Sequence, residues 1–453
     1  MTSRALNREI LRLSLPSILA NITVPLVGMV DTALAGHLSG GESAACIGGI
    51  SVGALLLNLL YWNFFFLRTG TGGLTAQAYG RGSMRDSALI FSRGLALAVV
   101  ISVLILALQR PLVHLGLLLV NDATPRVCEL ALRYFNIRIW AVPATLGLMV
   151  YRGWFVGMQD SVSSMWTDLV INLVNVAASF ILCFGIGGWA GMGFDGIPAG
   201  TVIAQYSGLV YVNLVCSLKY GRRVFSTLGA SDLREIFHPE SLLPYLKMNG
   251  NLLGRSLCFT VIYMGYTIIA AGFGDMLLAC STIMMQLLML FSYFTDGFAY
   301  AGEALSGRFI GARDGESLRR TVRLVFAWSM AIAVAFTGFY AALGTAAMGL
   351  FSSDADVVRT CSRFLPWLLV MPPLGCAAFT WDGIFLGATE SRSLFFSMLG
   401  AMVSFLGVWF AFSGRVAAGE DSCLHLLLGA YFAHLAFRTV YLSLRSRSKI
   451  VIK

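Results

Sequence analysis

Asp31 lies in LPSILANITVPLVGMVDTALAGHL, nineteen residues beyond Arg12, in a run that is otherwise almost wholly apolar. A carboxylate there is costly unless it is protonated, paired or facing water, so it is a default candidate for a functional residue. Pro25, six residues earlier, removes a backbone donor and can bend a helix, which makes it a candidate hinge. The competing reading is an interfacial Asp that caps the loop GHLSGG. His37 is near enough in sequence to tune Asp31, but solvent exposure is the simpler account of it.

Asn172 and Asn175 share a helical face in TDLVINLVNVAASFILCFG, with Asp168 a turn earlier. The Asn pair can bond two helices together or line a cavity, and Asp168 can line that cavity or merely end a helix. Trp62, Asn63, Phe64, Tyr151 and Tyr206 are candidates for aromatic and amide surface in a cleft for amphiphiles, although aromatic residues also form interfacial belts. In the second half, Gln286, Asp296 and Glu303 descend one apolar stretch, and Asp296 and Glu303, seven apart, share a face. They are expected to form a polar network with Arg255, either a closing gate or an ion site. Snorkelling of Arg255 is the alternative, since it follows Lys247 by only eight residues.

The nine Cys are scattered singly and the five His are dispersed, so no metal cage and no cofactor is expected. The chain has neither a Walker loop nor a paired catalytic-carboxylate constellation, and no catalytic residue is assigned. Uphill work by such a chain would draw on an ion gradient.

The elements that position these residues follow from composition. Of the 453 residues, 57% are hydrophobic and only 12% charged, with a mean hydropathy of +0.76. This excludes soluble, disordered and disulfide-scaffold classes. Apolar runs long enough to cross about 30 Å of hydrocarbon recur at 13–36, 46–67, 90–109, 128–150, 166–186, 197–218, 245–271, 277–300, 324–348, 361–386, 394–413 and 423–443. They predict an all-α polytopic membrane protein with twelve transmembrane helices. With the N-terminus inside, 23 of the 32 Lys and Arg fall in cytoplasmic pieces, Arg152 and a tail starting at Arg438 among them. Both termini are therefore expected in the cytoplasm. The net charge of +9 reads as this topology signal and as attraction to membrane lipids, not as a nucleic-acid site.

An internal repeat divides the chain. YRGWFVGMQDSVSSM (151–165) recurs as WDGIFLGATESRSLF (381–395), with Gly153 on Gly383, Gly157 on Gly387 and Asp160 on Glu390. Gly80-Arg81 and Leu15-Pro16 find partners in Gly307-Arg308 and Leu243-Pro244 at nearly the same offset. The expected organisation is an N-lobe over 1–218, a cytoplasmic linker over 219–244 and a C-lobe over 245–453. These two pseudo-symmetric six-helix lobes are suited to alternating access.

LPSILANITVPLVGMVDTALAGHLSG (15–40), RTGTGGLTAQAYGRG (68–82), YRGWFVGMQD (151–160), DGFAYAGEALSGRFIGARD (296–314) and WDGIFLGATESR (381–392) together resemble the MATE (multidrug and toxic compound extrusion) family. The resemblance is to its DNA-damage-inducible-protein-F-like branch and covers nearly the whole chain. It implies a secondary antiporter that exports amphiphilic, cationic organic compounds against inward H+ or Na+, working as a monomer in a bacterial inner membrane. The family's first-helix acid falls on Asp31 and its fifth-helix Asn on Asn175, with Asn172 a turn before. Where some prokaryotic members carry a second acid, this chain has Ser179, which leaves most of the coupling to Asp31. The family's seventh-helix Arg and eighth-helix acids fall on Arg255, Asp296 and Glu303. Proton uptake by Asp31 is expected to let the Pro25 region rearrange and release substrate outward. The runner-up is a flippase for a lipid-linked or other amphiphilic substrate, which would need a strongly cationic cleft, and Arg255 is the buried base that the sequence offers it.

Overall fold

The computed structural model describes residues 2–38, 43–117, 124–222, 224–227, 229–352, 354–416 and 421–450. Part of the GHLSGG loop and the last three residues of the basic tail lie outside them. Among the described residues, twelve helices are long and apolar enough to span a membrane. They are α1 (Ser3–Gly36), α2 (Ser43–Gly80), α3 (Met84–Ala107), α4 (Pro125–Gly157), α5 (Ser161–Phe184), α6 (Gly193–Tyr220), α7 (Pro239–Ala271), α8 (Asp275–Gly311), α9 (Gly315–Gly349), α10 (Leu365–Gly387), α11 (Ser391–Arg415) and α12 (Asp421–Lys449). With no water to satisfy exposed N–H and C=O groups in hydrocarbon, continuous helices are the solution such runs adopt.

Several helices outrun their apolar cores. The second apolar run ends near residue 67, but α2 continues to Gly80 with a local break at Phe65. Its extension, FLRTGTGGLTAQAYG, is too polar to register as a span. It is helical because it is buried against the second half of α4, where protein replaces lipid as the surroundings. α12 likewise runs through Arg438 to Lys449, so Arg438 belongs to a helix interior and not to a basic tail.

The chain forms two compact units, one of Leu19–Tyr245 and the other of Met1–Ile18 with Leu246–Lys453. Within the first, α4 packs on α2 and α3, and α5 on α6. Within the second, α10 packs on α8 and α9, and α11 on α12. The repeated glycines do the same work in each. A Cβ on Gly153 would sit 2.1 Å from the Arg68 carbonyl oxygen, and one on Gly383 would sit 2.1 Å from that of Ala299. Both positions let two backbones touch, the means by which helices associate when lipid supplies no hydrophobic drive.

The turns entering α3, α5, α9 and α11 share one construction. A residue with positive φ (Gly82, Gln159, Arg313 or Thr389) ends the preceding helix. The next amide then reaches back five residues, as in Asp160 N–H to Phe155 O at 2.8 Å and Glu390 N–H to Phe385 O at 3.1 Å. This is a Schellman closure, and the same residue begins the following helix. Ser83, Asp160 and Asp314 cap it by accepting from the amides of Asp86, Ser163 and Ser317. Glu390 accepts instead from the Ser393 hydroxyl at 3.4 Å.

Candidate functional site

Asp31 lies five residues inside the end of α1 and is 1% exposed, so it is not a cap of the loop that follows. Its Oδ2 accepts from the Tyr134 hydroxyl at 3.3 Å, and that hydroxyl in turn accepts from the Arg138 guanidinium. Tyr134 and Arg138 stand one turn apart on α4, so a single helical face offers the acid both a hydroxyl and a cation. Gly53 of α2 admits the Tyr134 ring, since a Cβ there would lie 2.6 Å from it. Of the options open to a costly buried acid, this one is paired, with a built-in counter-ion reached through Tyr134. The signal was present in ALRYFNIRIW, where Arg138 stands inside an apolar run. The cost that singles out Asp31 applies equally to a buried guanidinium.

Asn175 of α5 is fully buried, donating to Thr201 Oγ1 at 3.0 Å and to Ser179 Oγ at 3.4 Å. Ser179 thus joins this cluster as a hydroxyl where a second acid would add charge. Thr201, from α6, is also a neighbour of Asp31, which links the Asn175 cluster to the acid. Asn172 faces the backbone of α1, donating to the Thr23 carbonyl at 3.4 Å, two residues before Pro25. Pro25 itself is exposed within an unbroken helix. Among the described residues Asp31 Oδ1 and Asn175 Oδ1 are buried acceptors without a hydrogen-bond donor.

The other candidates in this unit divide. Asp168 is ion-paired with Arg152 of α4, so it is neither a free cavity acid nor a simple helix end, and Arg152 is not a cytoplasmic loop charge. Tyr151 packs its ring 4.8 Å from that of Phe91 and donates to Asn213 at 2.5 Å, a largely internal position. Tyr206 is exposed and donates to the Trp140 carbonyl at 3.0 Å. Asn63 donates back to the Leu59 carbonyl at 2.7 Å, and Phe64 stacks obliquely near Phe66.

In the second unit Arg255 meets a different carboxylate from the one the helical spacing suggested. Its Nη2 lies 2.5 Å from Asp382 Oδ2 of α10, and the same oxygen accepts from Arg438 of α12, which is 2% exposed. One acid shared by two guanidinium groups corrects the expected grouping of Arg255 with Asp296 and Glu303. It also adds Arg438 to the buried bases. The partners are 127 and 56 residues apart, beyond any helical periodicity. Glu303 is buried on α8, Asp296 is half-buried a turn pair above it, and Gln286 is exposed. His434, one turn before Arg438, is fully buried against Tyr431 with ring centroids 4.5 Å apart. Among the described residues no three His, Cys, Asp or Glu side chains converge to hold a metal ion.

A family model, MatE, matches residues 16–181 and 252–412. DNA damage-inducible protein F of Escherichia coli (strain K12) is 33% identical over 400 residues, covering 88% of this chain and 84% of that protein. Multidrug resistance protein MdtK of Edwardsiella ictaluri (strain 93-146) is 23% identical over 409 residues, covering 89% and 85% respectively. A crystal structure of MATE in the bent conformation superposes with a TM-score of 0.83 at 17% identity, covering 99% of this chain and 98% of that one.

Proposed function

This chain belongs to the MatE family of membrane transport proteins, and we propose that it is a secondary exporter that exchanges amphiphilic organic compounds for inward H+. The observation that carries the proton is the Arg138–Tyr134–Asp31 chain. A sodium ion bound at Asp31 would face the guanidinium that already compensates it. A proton meets no such obstacle, and Asp31 Oδ1, a buried acceptor without a donor, is the oxygen free to take it.

The pair also gives substrate and proton a way to compete. With Asp31 ionised the pair is neutral and tolerates an organic cation nearby. With Asp31 protonated the Arg138 charge is uncompensated. At an effective dielectric of about 20 and a separation of about 6 Å, it repels a monovalent cation by roughly 3 kcal/mol, on the order of 100-fold in affinity. Outside protonation thus favours release, and Asn172 on the α1 backbone near Pro25 supplies a contact that can change with the bend of that helix.

The 33% identity supports placement in the DNA-damage-inducible-protein-F-like branch. The Lys and Arg distribution supports an orientation with both termini cytoplasmic, and a monomer in a bacterial inner membrane is the unit we propose. A flippase for an anionic amphiphile is favoured by one observation, the surplus positive charge of Arg255 and Arg438 on Asp382.

Proteoliposomes loaded with a fluorescent organic cation test the reading. A pH gradient should drive its movement, a sodium gradient should not, and Asp31→Asn should abolish the response. Movement driven by sodium alone, or wild-type rates in D31N, would overturn it. Gradient-independent flipping of a fluorescent anionic lipid in the same vesicles would select the flippase.

A further inference from the structure

A groove of about 650 Å³ opens on the second unit between α11 and α12. Its two chemistries are segregated. Arg392, Arg445 and Lys449 gather where α11 begins and α12 ends, while Phe396, Leu399 and Val403 continue along α11. The α11 positions 392, 396, 399 and 403 follow one helical face. Eleven residues at 1.5 Å each extend about 16 Å, close to half the thickness of a bilayer's hydrocarbon core.

The floor and walls are built for this division. Gly400 has no side chain because the Phe437 ring of α12 occupies its place, 2.2 Å from where a Cβ would stand. The Arg392 and Arg445 guanidinium groups lie over the Phe396 and Tyr441 rings at 5.6 and 5.8 Å, so their stems follow the groove walls. The one acid at the mouth, Glu390, lies 3.5 Å from Lys449. Among the described residues Arg392 and Arg445 have no such partner, which leaves the mouth a surplus of two positive charges.

We propose that this groove is a binding site for one anionic glycerophospholipid, its phosphate held by Arg392, Arg445 and Lys449 and an acyl chain laid along Phe396, Leu399 and Val403. The charge complements a phosphate, and the length matches one leaflet. The internal repeat supplies a control within the molecule. At an offset of 230 residues, Val162 and Val215 stand where Arg392 and Arg445 are, and only Lys219 matches Lys449. The mouth is therefore not a by-product of the duplicated helix pair. On the orientation proposed above the lipid belongs to the inner leaflet, but its binding does not depend on the transport reading.

Native mass spectrometry of the full chain in detergent tests this with phosphatidylglycerol and phosphatidylcholine of identical acyl chains. Wild type should retain phosphatidylglycerol preferentially. R392Q/R445Q should weaken retention about fivefold per charge, with R319Q/R320Q as the control for general basicity. F396A/V403A should weaken long-chain but not dihexanoyl phosphatidylglycerol. Unchanged retention in R392Q/R445Q, or equal retention of the two lipids by wild type, would overturn the site. Displacement of the lipid by millimolar inorganic phosphate would also overturn it, reducing the groove to a phosphate site without a lipid role.

Discussion

On the proton-coupled reading proposed above, Arg138 is the group that would set which ion Asp31 serves. Its removal in Arg138→Gln should leave a buried acid without its cation, and transport in proteoliposomes should then become responsive to a sodium gradient that wild type ignores. Tyr134→Phe removes the hydroxyl between them and should slow pH-driven transport roughly tenfold, the equivalent of one hydrogen bond of about 1.4 kcal/mol. The arginine pair of the second unit makes a sharper stability prediction. Asp382→Asn leaves two guanidinium groups without a carboxylate and should cost about 3–5 kcal/mol in unfolding assays. Arg255→Gln leaves Asp382 paired with Arg438, and Arg255 is itself 18% exposed, so its loss should be milder. Equal losses in the two variants would mean that Arg438 does not sustain the acid alone.

The helix-to-helix turns carry strain and compensation that spacing alone does not display. Thr389 holds φ of 56°, a region costly for a β-branched residue. Thr389→Gly should therefore raise thermal stability by about 0.5–1 kcal/mol despite glycine's entropy in the unfolded chain. Its repeat mate Gln159 precedes Asp160. Burial opposes the charge of Asp160, but hydrogen bonds from Lys219 at 2.6 Å, Ser163 at 2.6 Å and Tyr220 at 2.8 Å outweigh it. Its pKa is held below the ordinary carboxylate value, so the stabilisation is present above about pH 4 and is lost as pH falls through the lower folded value. Asp160→Asn should destabilise the protein by roughly 3 kcal/mol at pH 7, with the difference closing in acid. A constant difference down to pH 2 would exclude the ionised acid as the cause.

Across the whole molecule, if Asp31 is the coupling acid as proposed, one acid with one resident cation predicts exchange of one proton for one monovalent organic cation. Such a cycle is electroneutral, so clamping the membrane potential with valinomycin and potassium should leave the pH-driven rate unchanged. Twelve spans, the duplication and the place of Asp31 were legible in the chain because they rest on local quantities: apolar length, the recurrence of Gly153 as Gly383, and the cost of an isolated acid in lipid. The same local reading stopped α2 near residue 67, since polar sequence is helical there only when a neighbouring helix covers it. Partnerships were decided by tertiary structure. Arg138 reaches Asp31 across 107 residues through Tyr134, and Asp382 takes Arg255 and Arg438 from two other helices. Hydropathy and periodicity describe what each helix must bury, whereas the compensation of a buried charge depends on which helices pack together.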